Sequence, residues 1–223
     1  MTDEELKRYL GSRPGFLEHE AKALLAEMGL SVPRSLYLPA GRPLPRRVAL
    51  GYPLVAKAVS EKMASKTEAG GIRLGIADGA ELEEAVSSLM AMKAARGVLI
   101  EEAAPGGTEV IVGGVYDPQF GPAVMFGMGG VLVELYKDVA FALAPLGLED
   151  ALWLTRQVRG NRLIDGYRGG RPLDREALIR VVVAVSRIME TGEVQEINLN
   201  PVALYHKGAI VLDAKISKRA GSG

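Results

Sequence analysis

Glu196-Ile197-Asn198-Leu199-Asn200-Pro201 sets polar side chains at every second position of an apolar stretch, the period of a strand with one polar face. The chain has only three asparagines, Asn161, Asn198 and Asn200, and two of them fall here. Asp213 follows the apolar run Ala209-Ile-Val-Leu212 on the next strand. Asn and Asp are poor strand formers. Their oxygens gathered on a sheet face point to a hard cation, Mg²⁺ holding a phosphate; the alternative is a polar strand face plus a turn residue. A turn at Lys207-Gly208 pairs residue 213 with about 201 or 202, so Asn200 and Asp213 share one end of the hairpin; a slip of one residue turns one of them away.

Lys57 lies in Leu54-Val-Ala-Lys57-Ala-Val59, an otherwise apolar strand. A lysine so placed either snorkels out at a strand end or meets an anion. Further on, Lys66-Thr-Glu-Ala-Gly70-Gly71 lets the backbone approach a ligand, and successive N–H groups there can form an anion nest; the alternative is a surface turn. Glu101 and Glu102 end the strand begun by Val98-Leu-Ile100, and Glu109 opens another. A carboxylate at such a strand start can accept hydrogen bonds from ribose hydroxyls, or stand solvated at a strand edge. Phe126-Gly-Met-Gly129-Gly130 is a second glycine loop, open to a ligand or partner, or a tight turn. His19 and His206 have no Ser, Cys or Asp arranged for nucleophilic catalysis and read as structural or solvated. The Walker, dinucleotide-binding and zinc spacings are all missing.

These residues need elements to hold them. Apolar spacing predicts a helix over 16–28, strands over 33–38, 52–59 and 70–76, and a long helix capped by Asp78 and running to Arg96, stopped by Gly97. Strands follow at 98–103, 108–116, 123–126 and 131–135, with a turn cluster at Asp117-Pro-Gln-Phe-Gly-Pro122. Helices are expected at 149–159 and 174–190, then a hairpin of 194–200 into 202–205 and 209–214. Hairpins mixed with crossovers favour α+β over a doubly wound sheet. The natural division falls near Gly97, giving lobes 1–97 and 98–223.

The 223 residues suffice for one large or two small cores. Lys and Arg number 27, as do Asp and Glu, so the net charge is zero, which argues against a grip on nucleic acid or an anionic membrane. No apolar run is long enough for a membrane span. The N-terminal Met-Thr-Asp-Glu-Glu-Leu6 lacks a signal peptide's apolar core, so a cytoplasmic enzyme or subunit is expected. There is no cysteine, which excludes thiol chemistry and disulfides.

Taken in order, several stretches resemble one family. They are Leu17-Glu-His-Glu-Ala-Lys22, Lys66-Thr-Glu-Ala-Gly-Gly-Ile72, Glu109-Val-Ile-Val-Gly113, Asp117 to Pro122, Val124-Met-Phe-Gly-Met-Gly-Gly130, Gly166-Tyr-Arg-Gly169, Asn200-Pro201 and Asp213-Ala-Lys-Ile216. The chain is similar to the β subunit of ADP-forming (NDP-forming) acyl-CoA synthetases, ATP-grasp proteins related to the succinyl-CoA synthetase β subunit. The resemblance implies an α+β, ATP-grasp fold whose two lobes close on ATP or ADP. Lys57 would contact phosphates. Gly70 and Gly71 would belong to the loop that covers them. Glu101, Glu102 and Ala103 would form the hinge against adenine through backbone groups, Glu109 would bind ribose, and Asn200 and Asp213 would hold Mg²⁺. The family converts acyl-CoA, ADP and phosphate to acid, ATP and CoA. CoA binding and the acyl-phosphate step belong to a separate α subunit carrying a phosphohistidine, with α2β2 assembly expected by analogy.

One position departs from the family. Many members carry a second phosphoryl-carrying histidine immediately before the Lys66 position; here it is Ser65. A serine hydroxyl cannot stand in for imidazole as a readily reversible acceptor near neutral pH. Three readings stay open: the partner's phosphohistidine reaches ADP directly, the chain binds nucleotide without turnover as a regulatory or inactive subunit, or the serine orients a phosphate.

Overall fold

A computed structural model describes residues 1–13, 15–60, 70–93, 95–130 and 138–219. The chain forms two compact units, one of Pro33–Pro105 and one of Met1–Val32 with Gly106–Gly223. The units therefore do not divide at residue 97. The N-terminal helices α1 (Asp3–Gly11) and α2 (Glu18–Glu27) belong with the larger unit, because Leu6, Leu10, Leu24 and Leu25 are buried in its core.

The smaller unit contains β1 (Ser35–Pro39), β2 (Leu54–Val59), β3 (Ile72–Ile76), α3 (Gly79–Met90) and β4 (Gly97–Glu102). Its strands form an antiparallel sheet in the order β1-β4-β2-β3. Asp78 caps α3 by accepting from the N–H groups of Ala80 and Glu81 at 2.9 and 3.0 Å. Leu82, Ala85, Val86 and Leu89 recur at helical spacing and pack on Leu54, Ala56, Ala58, Val98 and Ile100. The opposite sheet face therefore carries Val55, Lys57, Val59, Leu99 and Glu101. The helix stops at Met90, six residues short of Arg96. Arg96 is held by the sheet instead: its N–H donates to Val59 O and its carbonyl accepts from Ala40 N, each at 2.8 Å. Gly97 thus opens β4 rather than closing α3.

In the larger unit, β5 (Thr108–Asp117), β6 (Gly121–Met128), β7 (Val139–Leu143), β8 (Val194–Leu204), β9 (Ala209–Val211) and β10 (Lys215–Lys218) form an antiparallel sheet of order β10-β8-β5-β6-β7, with β9 also on β8. The helices α4 (Leu148–Arg156), α5 (Asn161–Ile164) and α6 (Arg175–Glu190) accompany it. Leu178, Val181, Val182, Val185, Ile188 and Met189 of α6 share one core with Val110, Val112, Val124, Phe126 and Leu199. The expected strand 131–135 lies outside the described residues. Strand β8 runs unbroken through Asn200-Pro201, where two short strands were expected. No helix among the described residues is long and apolar enough to cross a membrane.

Asp174 ties α6 to the β8–β9 turn. Its carboxylate accepts from Ala177 N at 2.9 Å and Gly208 N at 2.7 Å. These bonds to the Ala177 and Gly208 amides hold its pKa below the usual carboxylate value. A depressed native pKa stabilises the fold above the unfolded carboxylate range and loses that contribution as pH falls through the native value. Asp174→Ala should cost about 1 kcal/mol at pH 7, with the gap to the parent closing in acid. Urea denaturation of both proteins at neutral and acidic pH checks this; a gap independent of pH rejects the assignment.

Candidate functional site

The residues expected to hold Mg²⁺ lie on and beside β8. Ile197 and Leu199 point into the core, so Glu196, Asn198 and Asn200 take the other face. The β8–β9 ladder pairs Val202 with Val211, Ala203 with Ile210 and Leu204 with Ala209. The β8–β10 ladder pairs Asn198 with Lys215 and Ile197 with Ile216. Continuing either ladder residue by residue sets Asn200 opposite Asp213. The last bond before that pair runs from Leu212 N to Pro201 O at 3.0 Å. On the other side, β5 pairs Val110 with Val202 but Val112 with Leu199, so Ile111 meets both Asn200 and Pro201. This is a bulge, a device that re-aims side chains.

Next to it, the side-chain oxygen Oδ1 of Asn198 is buried and has no hydrogen-bond partner among the described residues. A buried acceptor left open in this way has room for a donor or cation, whether water, ion or ligand. Two carboxamides and one carboxylate are an oxygen-donor set, which suits Mg²⁺. Among the described residues no group of three or more His, Cys, Asp or Glu could hold a metal. Mg²⁺ does not need one, since it takes one or two protein ligands and completes its shell with phosphate oxygens and water.

Glu109 is the second residue of β5 and is exposed. The second glycine loop lies directly against it. Gly129 N donates to Glu109 O at 2.8 Å, and a Cβ on Gly129 would stand 2.7 Å from the Glu109 carbonyl carbon. Only glycine fits there. No local sequence pattern shows that these two motifs meet, because the contact depends on the β5–β6 register.

In the smaller unit, Lys57 is 7% exposed and Glu101 2%. Their side chains form an ion pair, Nζ to Oε2, at 2.8 Å. The pairing is diagonal across β2 and β4, with Lys57 opposite Leu99 and Glu101 opposite Val55. Lys57 therefore does not snorkel; it is a buried ammonium with a buried counter-ion. Gly71 comes alongside, its carbonyl accepting from Ala58 N at 2.8 Å, while Gly70 is exposed with φ +67°. Arg73, absent from the sequence reading, fastens the loop by donating to Gly70 O at 2.6 Å. Ser65 and Lys66 lie outside the described residues.

Glu102 serves as a fastener. Its Oε1 accepts from Arg34 Nη1 at 2.9 Å and from Gly51 N at 2.8 Å. The N–H groups of Glu102 and Ala103 donate to Arg34 O and Pro53 O at 2.9 and 3.0 Å. Both amides are thus engaged inside the unit. Of the two histidines, burial lowers the pKa of His19, and His206 Nδ1 lies 3.0 Å from Pro172 O.

Comparison with known proteins identifies the family. Residues 11–217 match the model of the ATP-grasp domain. The chain is 39% identical over 219 residues to the acetate–CoA ligase [ADP-forming] I subunit beta of Pyrococcus furiosus, covering 92% of each chain. It superposes on the dinucleotide-forming acetyl-coenzyme A synthetase 1 of Ca. Korarchaeum cryptofilum, solved with coenzyme A and Ca-AMPCP, with a TM-score of 0.82 at 35% identity, covering 97% of this chain and 99% of that one. A second structure of that synthetase, with coenzyme A and Mg-AMPPCP, has its phosphohistidine segment pointing towards the nucleotide-binding site; the TM-score is 0.77 at 37% identity, covering 98% of this chain and all of the other. The α+β architecture, the ATP-grasp match along nearly the whole chain and the ligase relatives together place this chain in the ATP-grasp family, among the β subunits of ADP-forming acyl-CoA synthetases.

Proposed function

We propose that this chain is the nucleotide-binding β subunit of an ADP-forming acetate– or acyl–CoA ligase. It exchanges a phosphoryl group between a phosphohistidine on an α subunit and Mg-ADP, within an α2β2 assembly. The observation that carries this reading is the register that sets Asn200 opposite Asp213 at a bulge, beside the open oxygen of Asn198. In this reading Asn200 and Asp213 hold Mg²⁺. When bound, the ion neutralises phosphate charge and orients the phosphate oxygens.

The protein's own groups bind and position. Lys57 contributes a buried positive charge for the phosphates, and the Gly70-Gly71 backbone covers them. Glu109 accepts from ribose hydroxyls, with Gly129-Gly130 packed behind it. Adenine lies against the strand end at Glu101, Glu102 and Ala103. Because the amides of 102 and 103 are engaged, Ala104 is the first residue past β4 with an N–H to offer.

In the transfer step a terminal phosphate oxygen of ADP attacks phosphorus. The P–N bond to imidazole breaks as the P–O bond of ATP forms, and the imidazole, already protonated on its other nitrogen, leaves as a neutral ring. Catalysis by this chain is positioning and charge stabilisation.

Ser65 favours a second reading, a nucleotide-binding subunit without turnover. The two are separated by mixing α subunit bearing labelled phosphohistidine with this chain and Mg-ADP. The first reading expects label in ATP from the unaltered chain. Label appearing only after Ser65→His establishes the second, and no label in either, despite nucleotide binding, rejects the relay altogether.

A further inference from the structure

Arg168 is the one non-glycine residue with a positive φ among the described residues, at φ 54° and ψ 40°. That left-handed conformation is disfavoured for a side chain with a Cβ. The loop around it already uses glycine at 166, 169 and 170. An arginine kept where the backbone asks for glycine suggests that the side chain itself is needed there, and strained positions of this kind cluster at functional sites.

The loop is also braced. Leu173 N returns to Ile164 O at 2.9 Å, and Gly170 N to Tyr167 O at 3.2 Å. Beneath it Arg175 binds Asp165 at 2.8 Å and Thr155 Oγ1 at 3.1 Å. The Arg168 guanidinium lies over the Tyr167 ring, 5.3 Å from its centroid, and both side chains are exposed. The strain therefore presents a side chain on a firm base rather than marking a loose turn.

The charge is one-sided. Residues 159–171 contain Arg159, Arg162, Arg168 and Arg171, all exposed, against Asp165 alone. Asp165 is already paired with Arg175. In a chain with no net charge, this is a local excess of donors with the fork geometry that suits phosphate.

Its start connects, within the same unit, to Glu109, the residue proposed above to meet ribose. Asp138, just before β7, accepts from Arg159 N and Gly160 N at 2.8 and 2.7 Å. A Cβ on Gly160 would stand 2.3 Å from Met128 Cγ, and Met128 precedes the glycine that packs on Glu109. The basic segment therefore begins two strands away from Glu109.

We infer that the 166–171 loop, with Arg168 at its apex, is the landing point for the phosphoryl-bearing segment of the partner subunit. This rests on the phosphoryl-transfer reading above. Arg168 binds the phosphoryl oxygens as the segment arrives, a role distinct from that of the groups that hold Mg-ADP.

The test uses Arg168→Gly and Arg168→Asn, since both residues accept the left-handed conformation and keep the loop intact. The full-length chain is titrated with the α subunit, phosphorylated and unphosphorylated, and separately with Mg-ADP. Phosphorylated α subunit should bind at least about tenfold more weakly to the variants, as expected for loss of a bidentate Arg–phosphate contact. Unphosphorylated α subunit and Mg-ADP should bind as before, with thermal stability unchanged or raised. Equal binding of phosphorylated α subunit to parent and variant overturns the inference. Equal weakening of both α forms makes the loop a general acidic-surface contact, and weakened Mg-ADP makes Arg168 a nucleotide ligand; either result also overturns it. If the parent chain neither binds the α subunit nor takes its phosphoryl group, the functional reading itself has failed, an outcome distinct from a parent that works and a variant that works equally well.

Discussion

Asp213→Ala is expected to reduce phosphoryl transfer to ADP by about a hundredfold or more, the scale on which removing one preorganised charge-stabilising group acts. The fold should survive. The backbone beside Asp213 is held independently, by Leu212 N on Pro201 O and by Lys22 Nζ on Leu212 O at 2.7 Å. Lys22 is itself fixed by a buried pair with Glu18 at 2.9 Å. Ala214 and Ile216 stay in the core whatever residue 213 carries. The discriminating measurement is the Mg²⁺ dependence of ADP binding by calorimetry. If Asp213 is a ligand, the variant needs far more Mg²⁺ to reach the same ADP affinity, and Asp213→Asn falls between the two because it keeps an oxygen and loses the charge. A variant with the parent's Mg²⁺ requirement removes Asp213 from the metal site and leaves the Asn200 register as mere strand geometry.

The closing hairpin was nearly legible in sequence, and its error is informative. Placing the turn at Lys207-Gly208 pairs residue 213 with about 201 or 202; the turn lies one residue earlier, closed by Tyr205 N on Gly208 O at 3.1 Å, and continuing the ladders sets 213 opposite 200. The bulge opposite Ile111 is what sequence could not supply, since it belongs to the β5–β8 pairing of strands some ninety residues apart. Lys57 was legible as an anomaly in an apolar strand, but its counter-ion was not. Glu101 reaches it only because β4 inserts between β1 and β2, a non-local order that no local period reports. Helical propensity continues past Met90, which extends the expected α3 to Arg96, and the sheet bonds at Arg96 override it.

Other misses had signals. Thr2 and Glu5 form a capping box ahead of Leu6 and Leu10, the signature that starts α1, yet the segment registered only as acidic. Strands β7 and β10 are five and four residues long, near the lower limit at which alternation can be recognised.

Lys57→Met is expected to destabilise the smaller unit by about 3–5 kcal/mol, because it strands a carboxylate that is almost wholly buried. That loss would accompany either a structural or a phosphate-binding lysine, so the single variant decides nothing about function. The double variant Lys57→Met, Glu101→Met does. Replacing both partners of a buried pair by apolar groups of similar size is often neutral, whereas removing one is not. Stability should therefore return towards that of the parent, read by urea denaturation. Nucleotide affinity should not return with it. If Lys57 supplies charge to the phosphates, the refolded double variant still binds Mg-ADP at least about tenfold more weakly, the worth of one charge-assisted phosphate contact. A double variant that is stable and binds Mg-ADP like the parent would make Lys57 only the counter-ion of Glu101. The phosphate-binding role would then fall to the glycine backbone beside it. The pair is suited to this test because its two members lie diagonally across adjacent strands on one sheet face. Their replacements can pack against Val55, Val59 and Leu99 without disturbing the helix-facing side of the sheet.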